Sequence, residues 1–471
     1  MRRNLLVTGR AALPDDGRDG AVIRRLGCCV AAIALLAFPF GQAGAGEATT
    51  LLNAADAQPA AALLDSMGIN THFPFTDSAY ATRYADVRAK LVALGLHHVR
   101  DAPNGHMADL ATAGIMTTML AEPSSGTPVA LRDRVKALNA HGPVVDAVEG
   151  ANEPDMFWQR LHIAWQGQGY PEGPALWQRE LYAAFKSDPA TAALTIIGPS
   201  LGLAGMPNAT PPASWKGLWE YADWGDFHPY PYNGNPFGPP LAYGDLHLFY
   251  TDGTFPSVDI DQSPDAYRAY RSIYGSAPMA ATETGYPTGP YFTSEVLQAK
   301  YIPRVYVEYF RLRIRRTYLY QLLDNIQDPT GRDADASFGL LRYDLSERPS
   351  FGAVAALARL LAEPRGPGSA VPAGMRLTLR VTGVGTFSDA SRVHNLLLKR
   401  PDGTLLLLLW DEVSGEDASV TPRRPIEVPP LPATIEASDP VRFVVDGIQG
   451  QAAQSIHIQV TDALLAIEIA R

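Results

Sequence analysis

Two glutamates in this chain each stand directly after a short apolar run. Glu153 lies in Gly150-Ala151-Asn152-Glu153-Pro154-Asp155, and Glu283 in Pro278-Met279-Ala280-Ala281-Thr282-Glu283-Thr284-Gly285-Tyr286. An apolar run ending in a carboxylic acid reads as a strand that carries its acid to the mouth of a barrel rather than to bulk solvent. Two such acids about 5–5.5 Å apart are what cleavage of a glycosidic bond with retention requires. One carboxyl must hold a proton for the leaving oxygen; the other must be ionised to attack the anomeric carbon. Burial and mutual repulsion separate their pKa values, so that both states coexist near neutral pH. Either glutamate alone reads as well as a strand-end residue paired with an arginine. Two on separate strands, one within Asn-Glu-Pro, favour catalysis.

The elements that would position them alternate along the chain. Short apolar segments occur at Met67–His72, His98–Arg100, Ile115–Leu120, Val144–Glu149, Leu194–Ile197, Trp224–His228, Met279–Thr282 and Thr317–Leu322. Helix-like runs lie between several of them: Tyr80–Leu94, Ala130–Ala140, Ala175–Lys186 and Ser294–Arg313, with Phe351–Leu361 last. In the first, Tyr80, Tyr84, Val87, Leu91 and Leu94 recur at three- and four-residue steps, which is one face of a helix. Eight strand–helix repeats over roughly 300 residues predict a (β/α)8 TIM barrel across 66–361. The Pro- and Gly-rich stretch 362–374 reads as a linker. Beyond it the pattern turns to short apolar or alternating runs, with Pro401-Asp402-Gly403 as a hairpin turn. Residues 375–471 are thus expected to form a small all-β sandwich. The segment 46–65, ahead of the first barrel strand, is a candidate extra strand for it.

Residues 1–45 read as an address. A basic region ends at Arg24-Arg25, an apolar run spans Cys28–Phe40, and Ala43-Gly44-Ala45 offers a small-x-small cleavage site. That order predicts a secretory signal, hence an exported protein, periplasmic or extracellular; an uncleaved signal would instead anchor it to the membrane. The run is shorter than the about 20 apolar residues of a membrane span. Cys28 and Cys29 are the only cysteines, so neither a disulfide scaffold nor a cysteine zinc cage is available. With 39 basic against 49 acidic residues the net charge is -10, which argues against a nucleic-acid partner. There is no HExxH, GxSxG, P-loop or dinucleotide fingerprint, and no metal or cofactor is expected. The Asn208-Ala-Thr210 sequon is followed by Pro211 and carries no weight.

Asn152-Glu153-Pro on the fourth strand and Glu283 on the seventh resemble the retaining glycoside hydrolases of clan A. The likeness runs over about 66–360, and the β-domain is similar to the accessory sandwich of cellulase and β-xylosidase-like families. The resemblance implies Glu153 as acid/base and Glu283 as nucleophile, with Asn152 hydrogen-bonded to the sugar 2-hydroxyl. It implies that Arg100, on strand two, bonds the nucleophile and keeps it ionised. In Asp226-Phe227-His228-Pro229-Tyr230, Tyr230 would orient Glu283 and His228 would touch sugar or the acid/base; alone, His228 reads as a core histidine. Asn70 and His72, ending strand one, either contact sugar or pack.

The departure lies at strand eight, where clan members commonly place a tryptophan. Tyr318-Leu319-Tyr320-Gln321-Leu322-Leu323-Asp324 has none, leaving Tyr320 or Gln321 to substitute and Asp324 to bind a hydroxyl. Tyr286 also follows the seventh strand as a substrate-binding candidate. Trp158, Trp165, Tyr232 and Phe237 are candidates for an aromatic rim that stacks on sugar, though each alone reads as ordinary packing. The expected activity is therefore retaining hydrolysis of a β-glycoside in an oligo- or polysaccharide. The alternatives are a transglycosylase or polysaccharide-processing factor on the same barrel, or a non-catalytic carbohydrate-binding barrel. Sugar identity, endo or exo action and oligomeric state are left open by these residues.

Overall fold

The structure is a computed structural model that describes residues 46–202, 212–230, 273–362, 369–384, 393–417 and 424–471. The leader 1–45, the sequon at Asn208, the rim candidates Tyr232 and Phe237 and the centre of the linker (363–368) lie outside the described residues.

Eight short parallel strands form one sheet: β1 (Met67–Asn70), β2 (His98–Asp101), β3 (Met116–Leu120), β4 (Val145–Glu149), β5 (Thr195–Ile197), β6 (Gly225–Phe227), β7 (Met279–Thr284) and β8 (Thr317–Leu319). Their order is β5-β4-β3-β2-β1-β8-β7-β6. The remaining seam closes through a parallel bridge between Ile197 and Trp224, which makes the sheet a barrel. All eight expected strands are present, with ends shifted by up to three residues. Most are buried along their whole length because helices cover the outside and side chains fill the inside, so they read as apolar runs rather than alternations.

The run 80–94 is not one helix. It breaks at Arg83 into Ala79–Thr82, capped by Ser78, and Tyr84–Leu94, which ends on Gly95 in the left-handed region (φ 77). Arg83 sits at φ -137, ψ 39, outside helical geometry, and its side chain bonds Asp86 and the Asp344 carbonyl. Val87, Leu91 and Leu94 still form the buried face.

At the N-terminal end of the barrel, His98 lies between Asp65 and Asp146 at 2.9 Å from each, and Arg316 closes on Asp146 at 2.7 Å. These charges sit opposite the strand ends that carry the two glutamates. Their role is to hold the closed barrel, as expected of that face.

The C-terminal strands are β9 (Arg376–Val384), β10 (Val393–Lys399), β11 (Leu405–Asp411), β12 (Leu431–Val445), β13 (Ile448–Val460) and β14 (Leu465–Ala470). The strand Gly46–Asn53 pairs antiparallel along β9, at the start of the described chain. β12 pairs with β9 through Ala433–Ala437 and with β14 through Arg442–Val445, and its pairing with β13 shifts register between Glu436 and Val441. These strands belong to one eight-stranded sheet. The LLLLLWD sequence of β11 has a two-sided explanation. Leu405, Leu407 and Leu409 enter the core of the β-domain, while Leu406, Leu408 and Trp410 pack with barrel residues.

The two parts are joined through the helix Glu295–Arg311, which connects β7 to β8. Arg304, fully buried, donates to Glu412 at 2.5 Å and to the Asp462 carbonyl at 3.1 Å. One turn on, Glu308 accepts from Arg311 at 2.6 Å and lies 2.8 Å from His394 Nδ1. No helix among the described residues is long and apolar enough to cross a membrane.

Removing one partner of a buried ion pair strands the other. Arg304→Ala is therefore expected to destabilise the protein by about 3–5 kcal/mol. Urea denaturation measures this, and an unchanged midpoint would refute the role given to Arg304.

Candidate active site

The C-terminal ends of β4 and β7 bring Glu153 and Glu283 together. After Glu149 the chain turns through Gly150, where an added Cβ would meet Gln178 Oε1 at 2.1 Å and the Pro199 nitrogen at 3.2 Å. A larger residue there would have to displace the buried Gln178 side chain. Glu153 itself is left-handed (φ 40, ψ 52), an uncommon conformation for a residue with a side chain. Pro154 then starts the helix Pro154–Arg160, as its fixed φ favours. The sharp turn leaves Glu153 facing the barrel mouth, with Oε1 2.7 Å from His228 Nδ1.

Glu283 is held from two sides. Arg100 Nη1 donates to Oε1 at 2.7 Å, and the Tyr230 hydroxyl donates to Oε2 at 2.8 Å. His228 Nδ1 lies 3.6 Å from Oε2. One ligand-type atom each from Glu153, His228 and Glu283 all fall within 4.8 Å of one another. Burial works to raise the Glu283 carboxyl, but His228, Arg100 and Tyr230 outweigh it and hold the group below the usual glutamate value. For His228, burial favours the neutral ring, and the carboxylates of Glu283, Glu153 and Asp226 prevail, raising it to about 9.

Arg100 spends all five of its N–H donors inside the protein. Besides Glu283 they reach Glu149 twice (2.5 and 2.6 Å), Asn70 Oδ1 (2.9 Å) and Asn152 Oδ1 (2.7 Å). Asn70 in turn donates to the Thr282 carbonyl at 3.0 Å, so its amide positions Arg100. Asn152 is anchored a second time, its backbone N–H donating to Glu122 at 2.7 Å. Burial pushes Glu122 up to about 8 even though Asn152 and Trp158 donate to it.

A cavity of about 140 Å³ opens beside Glu283 and Asn152; Glu153, the residue after Asn152, is not among those that line it. Glu283, Asn152, His72, Tyr320, Phe75 and Phe157 are among the residues that line it. His72 stacks on Phe75 (4.8 Å, 14°) and meets Tyr320 edge-on at 5.5 Å. Burial lowers His72 to about 4, so it is a neutral ring here.

Several expected substrate contacts are not at the cavity. Trp158 is 1% exposed, packs with Trp177 in the core and donates its indole N–H to Glu122 at 3.2 Å. Its neighbour Phe157 faces the cavity instead, because adjacent positions on a helix point about 100° apart. Trp165 lies edge-on to Trp177 and donates to Glu180. Tyr286 is fully buried against Tyr301, 5.1 Å between centroids. Gln321 is fully buried beneath His72 rather than lining the cavity; at the eighth strand Tyr320 does so. Asp324 is taken by Arg348 (2.7 Å) and the Gly339 N–H (2.8 Å), an internal brace.

Sequence reasoning missed Glu149, Glu122, Asp226 and Thr282. Glu149 and Asp226 were visible as acids within otherwise apolar strands, where a charge is expensive unless paired. Thr282 and Glu122 carried no comparable signal. Among the described residues two further groups place carboxylate and His atoms within 4.8 Å of one another, Glu149-Asp226-His228 and Glu308-His394-Glu412. In both, arginines already hold a carboxylate: Arg100 on Glu149, and Arg304 and Arg311 on Glu412 and Glu308. That cationic company opposes a metal ion.

The fold is shared with solved glycoside hydrolases. A family 39 glycoside hydrolase from the gut symbiont Bacteroides cellulosilyticus superimposes with a TM-score of 0.52 at 16% identity, covering 89% of this chain and 82% of that one. The GH39 enzyme from Xanthomonas axonopodis pv. citri gives 0.54 at 14% identity, covering 92% and 99%. A monomeric β-xylosidase from Caulobacter crescentus gives 0.51 at 14% identity, covering 86% and 96%. This chain therefore has their architecture, a (β/α)8 barrel with a β-domain. No protein-family model matches the chain, and no curated protein matches it in sequence.

Tyr230→Phe removes one donor from Glu283 and leaves the ring that packs on Phe338. The Glu283 carboxyl is then expected to titrate at higher pH, since a hydrogen bond to the ionised form is lost. Carbon NMR of labelled glutamate reads this directly; an unshifted resonance would contradict the hold described for Tyr230.

Proposed function

We propose that this protein is an exported glycosidase that cleaves β-glycosidic bonds with retention of configuration. The observation that carries the reading is the close approach of Glu153 and Glu283, oxygens within 4.8 Å, with only Glu283 held by a guanidinium and a phenol. Such spacing suits a covalent intermediate and leaves little room for the water that inversion needs between the carboxyls. The shared architecture supports it, and so do the neighbours described as a β-xylosidase and, from Croceicoccus marinus, a glucosidase. The export half rests on the basic, apolar and small-residue order of 1–45.

In this mechanism Glu283 attacks the anomeric carbon as the bond to the leaving oxygen breaks, and Glu153 gives that oxygen its proton. Glu153 then takes a proton from water, which attacks the glycosyl ester and frees Glu283. Arg100 and Tyr230 keep the nucleophile ionised and aimed. Asn152, held by Arg100 through its oxygen, stands at the cavity to meet a sugar hydroxyl. The substrate is a neutral glycoside. Arg100 is the cavity's cation among the described lining residues, and all five of its donors are engaged, leaving none for a uronate.

Glu283→Gln is expected to lower turnover of aryl β-glycosides by at least about 10⁴-fold, because it removes the covalent step. Glu153→Ala should spare substrates with activated leaving groups and be rescued by azide, with a β-glycosyl azide as product; full activity of either variant would sink the assignment.

The pH dependence follows from the same groups. Glu283 must be ionised, so activity falls as pH drops through its depressed value, below the ordinary glutamate range. His228 must keep the ring proton with which it holds Glu153, so activity falls again as pH rises through the His228 value of about 9. A kcat/KM profile checks both limbs; an alkaline limb at an unperturbed histidine value, about 6.5, would contradict it.

A further inference from the structure

Behind His228 the polar contacts continue into the barrel. His228 Nε2 lies 3.0 Å from Thr282 Oγ1, and Thr282 Oγ1 lies 2.8 Å from both oxygens of Asp226. Asp226 and Thr282 are fully buried and His228 is 4% exposed. With the 2.7 Å contact to Glu153, an unbroken chain of hydrogen bonds runs from a sealed carboxyl on β6 to the barrel mouth.

We infer that Asp226, Thr282 and His228 form a proton wire ending on Glu153, so that the acid/base shares its proton with a carboxyl buried inside the barrel. The inference rests on the reading of Glu153 as acid/base. The bookkeeping closes without moving a heavy atom. With Asp226 ionised, Thr282 donates to it, Nε2–H donates to Thr282, and Glu153 holds its proton against Nδ1. Transfer of that proton to Nδ1 makes His228 an imidazolium between two carboxylates. If Nε2–H then passes to Thr282 as Thr282 passes its own proton to Asp226, Nδ1–H remains to donate to Glu153, now ionised. All three arrangements contain the same number of protons; Glu153 is an acid in the first and a base in the last.

Acidic neighbours surround the interior end of this chain. Asp226 is buried near the charge of Glu149, and both raise its carboxyl well above the usual range against the pull of His228 and Arg100. Glu149 Oε1 lies 3.4 Å from Thr282 Oγ1 but is committed to Arg100. Around the imidazole stand Glu153 from beyond β4, Glu283 from β7 and Asp226 from β6, and all three favour a proton on the ring. Coupled groups of this kind titrate as a set rather than singly.

Asp226 and Thr282 are positioning residues here, acting on Glu153 through His228, and the test separates that from a packing role. Thr282→Val keeps the side-chain shape and removes the hydroxyl; Thr282→Ser keeps the hydroxyl. The alkaline limb of kcat/KM on an aryl β-glycoside should move to lower pH by about one unit in Thr282→Val and in Asp226→Asn, because the proton loses one of its resting places. The double variant should move no further than either single one, and Thr282→Ser should restore the wild-type limb. Slower turnover with an unmoved limb, additive shifts, or a serine variant that behaves as the valine one would each overturn the wire.

The ring nitrogens provide a readout that needs no turnover. In the wild type the ¹⁵N shifts of His228 should move together with pH as averaged values, and in Thr282→Val they should split into a single tautomer. A single tautomer in the wild type at every pH would also overturn it. If the wild type cleaves no glycoside at all, the proposed activity falls, while the nitrogen shifts still decide the wire.

Discussion

The guanidinium of Arg100 is the interaction on which the rest of the site depends. A buried cation is tolerable only if its donors are met and its charge is balanced. Here Glu149 balances it in a two-pronged contact, and the remaining donors are distributed over Glu283, Asn70 and Asn152. Because these residues come from β1, the end of β4 and β7, one planar group sets the spacing of three loops at once. A lysine would offer three donors from a point and could not reach the same set. The geometry at the mouth is therefore built from the barrel interior outward.

Much of this architecture was legible because the constraint that creates it is simple. A strand covered on both faces must be apolar throughout, and eight such runs separated by helical stretches are hard to read otherwise. The two glutamates were legible for the same reason, as acids at the ends of runs that admit none without a purpose. The orientation of helical and loop side chains was not. Trp158 and Phe157 are neighbours of similar character, and which of them meets the cavity depends on how the short helix after Glu153 is rotated. Tyr286 and Gln321 follow strands at positions that suggest the mouth, yet packing against Tyr301 and beneath His72 turns them inward. Thr282 was invisible for a different reason. A threonine in a buried strand is an ordinary residue, and its use appears only when its partners from β6 are in place.

The polar interior also explains why the apolar count understates the order in this barrel. Arg100, Glu149, Asp226, Thr282 and Asn70 occupy volume that aliphatic side chains would otherwise fill, and nearly every donor and acceptor among them is paired. Satisfied networks of this kind hold one arrangement firmly, whereas a partly satisfied one would cost more than an apolar core. The opposite end of the barrel repeats the device with Asp65, His98, Asp146 and Arg316. Both ends are pinned by charge, with the apolar helix contacts on the outside.

The pairing of Gly46–Asn53 with β9 has a consequence for the order in which the protein is made. The first described strand leaves the ribosome before any of the barrel, yet its partner strand follows the entire barrel. Its backbone groups must wait for nearly the whole chain, and contacts so distant in sequence form late and slowly. This pairing is thus a clasp that can shut only after the barrel between its two strands has been synthesised.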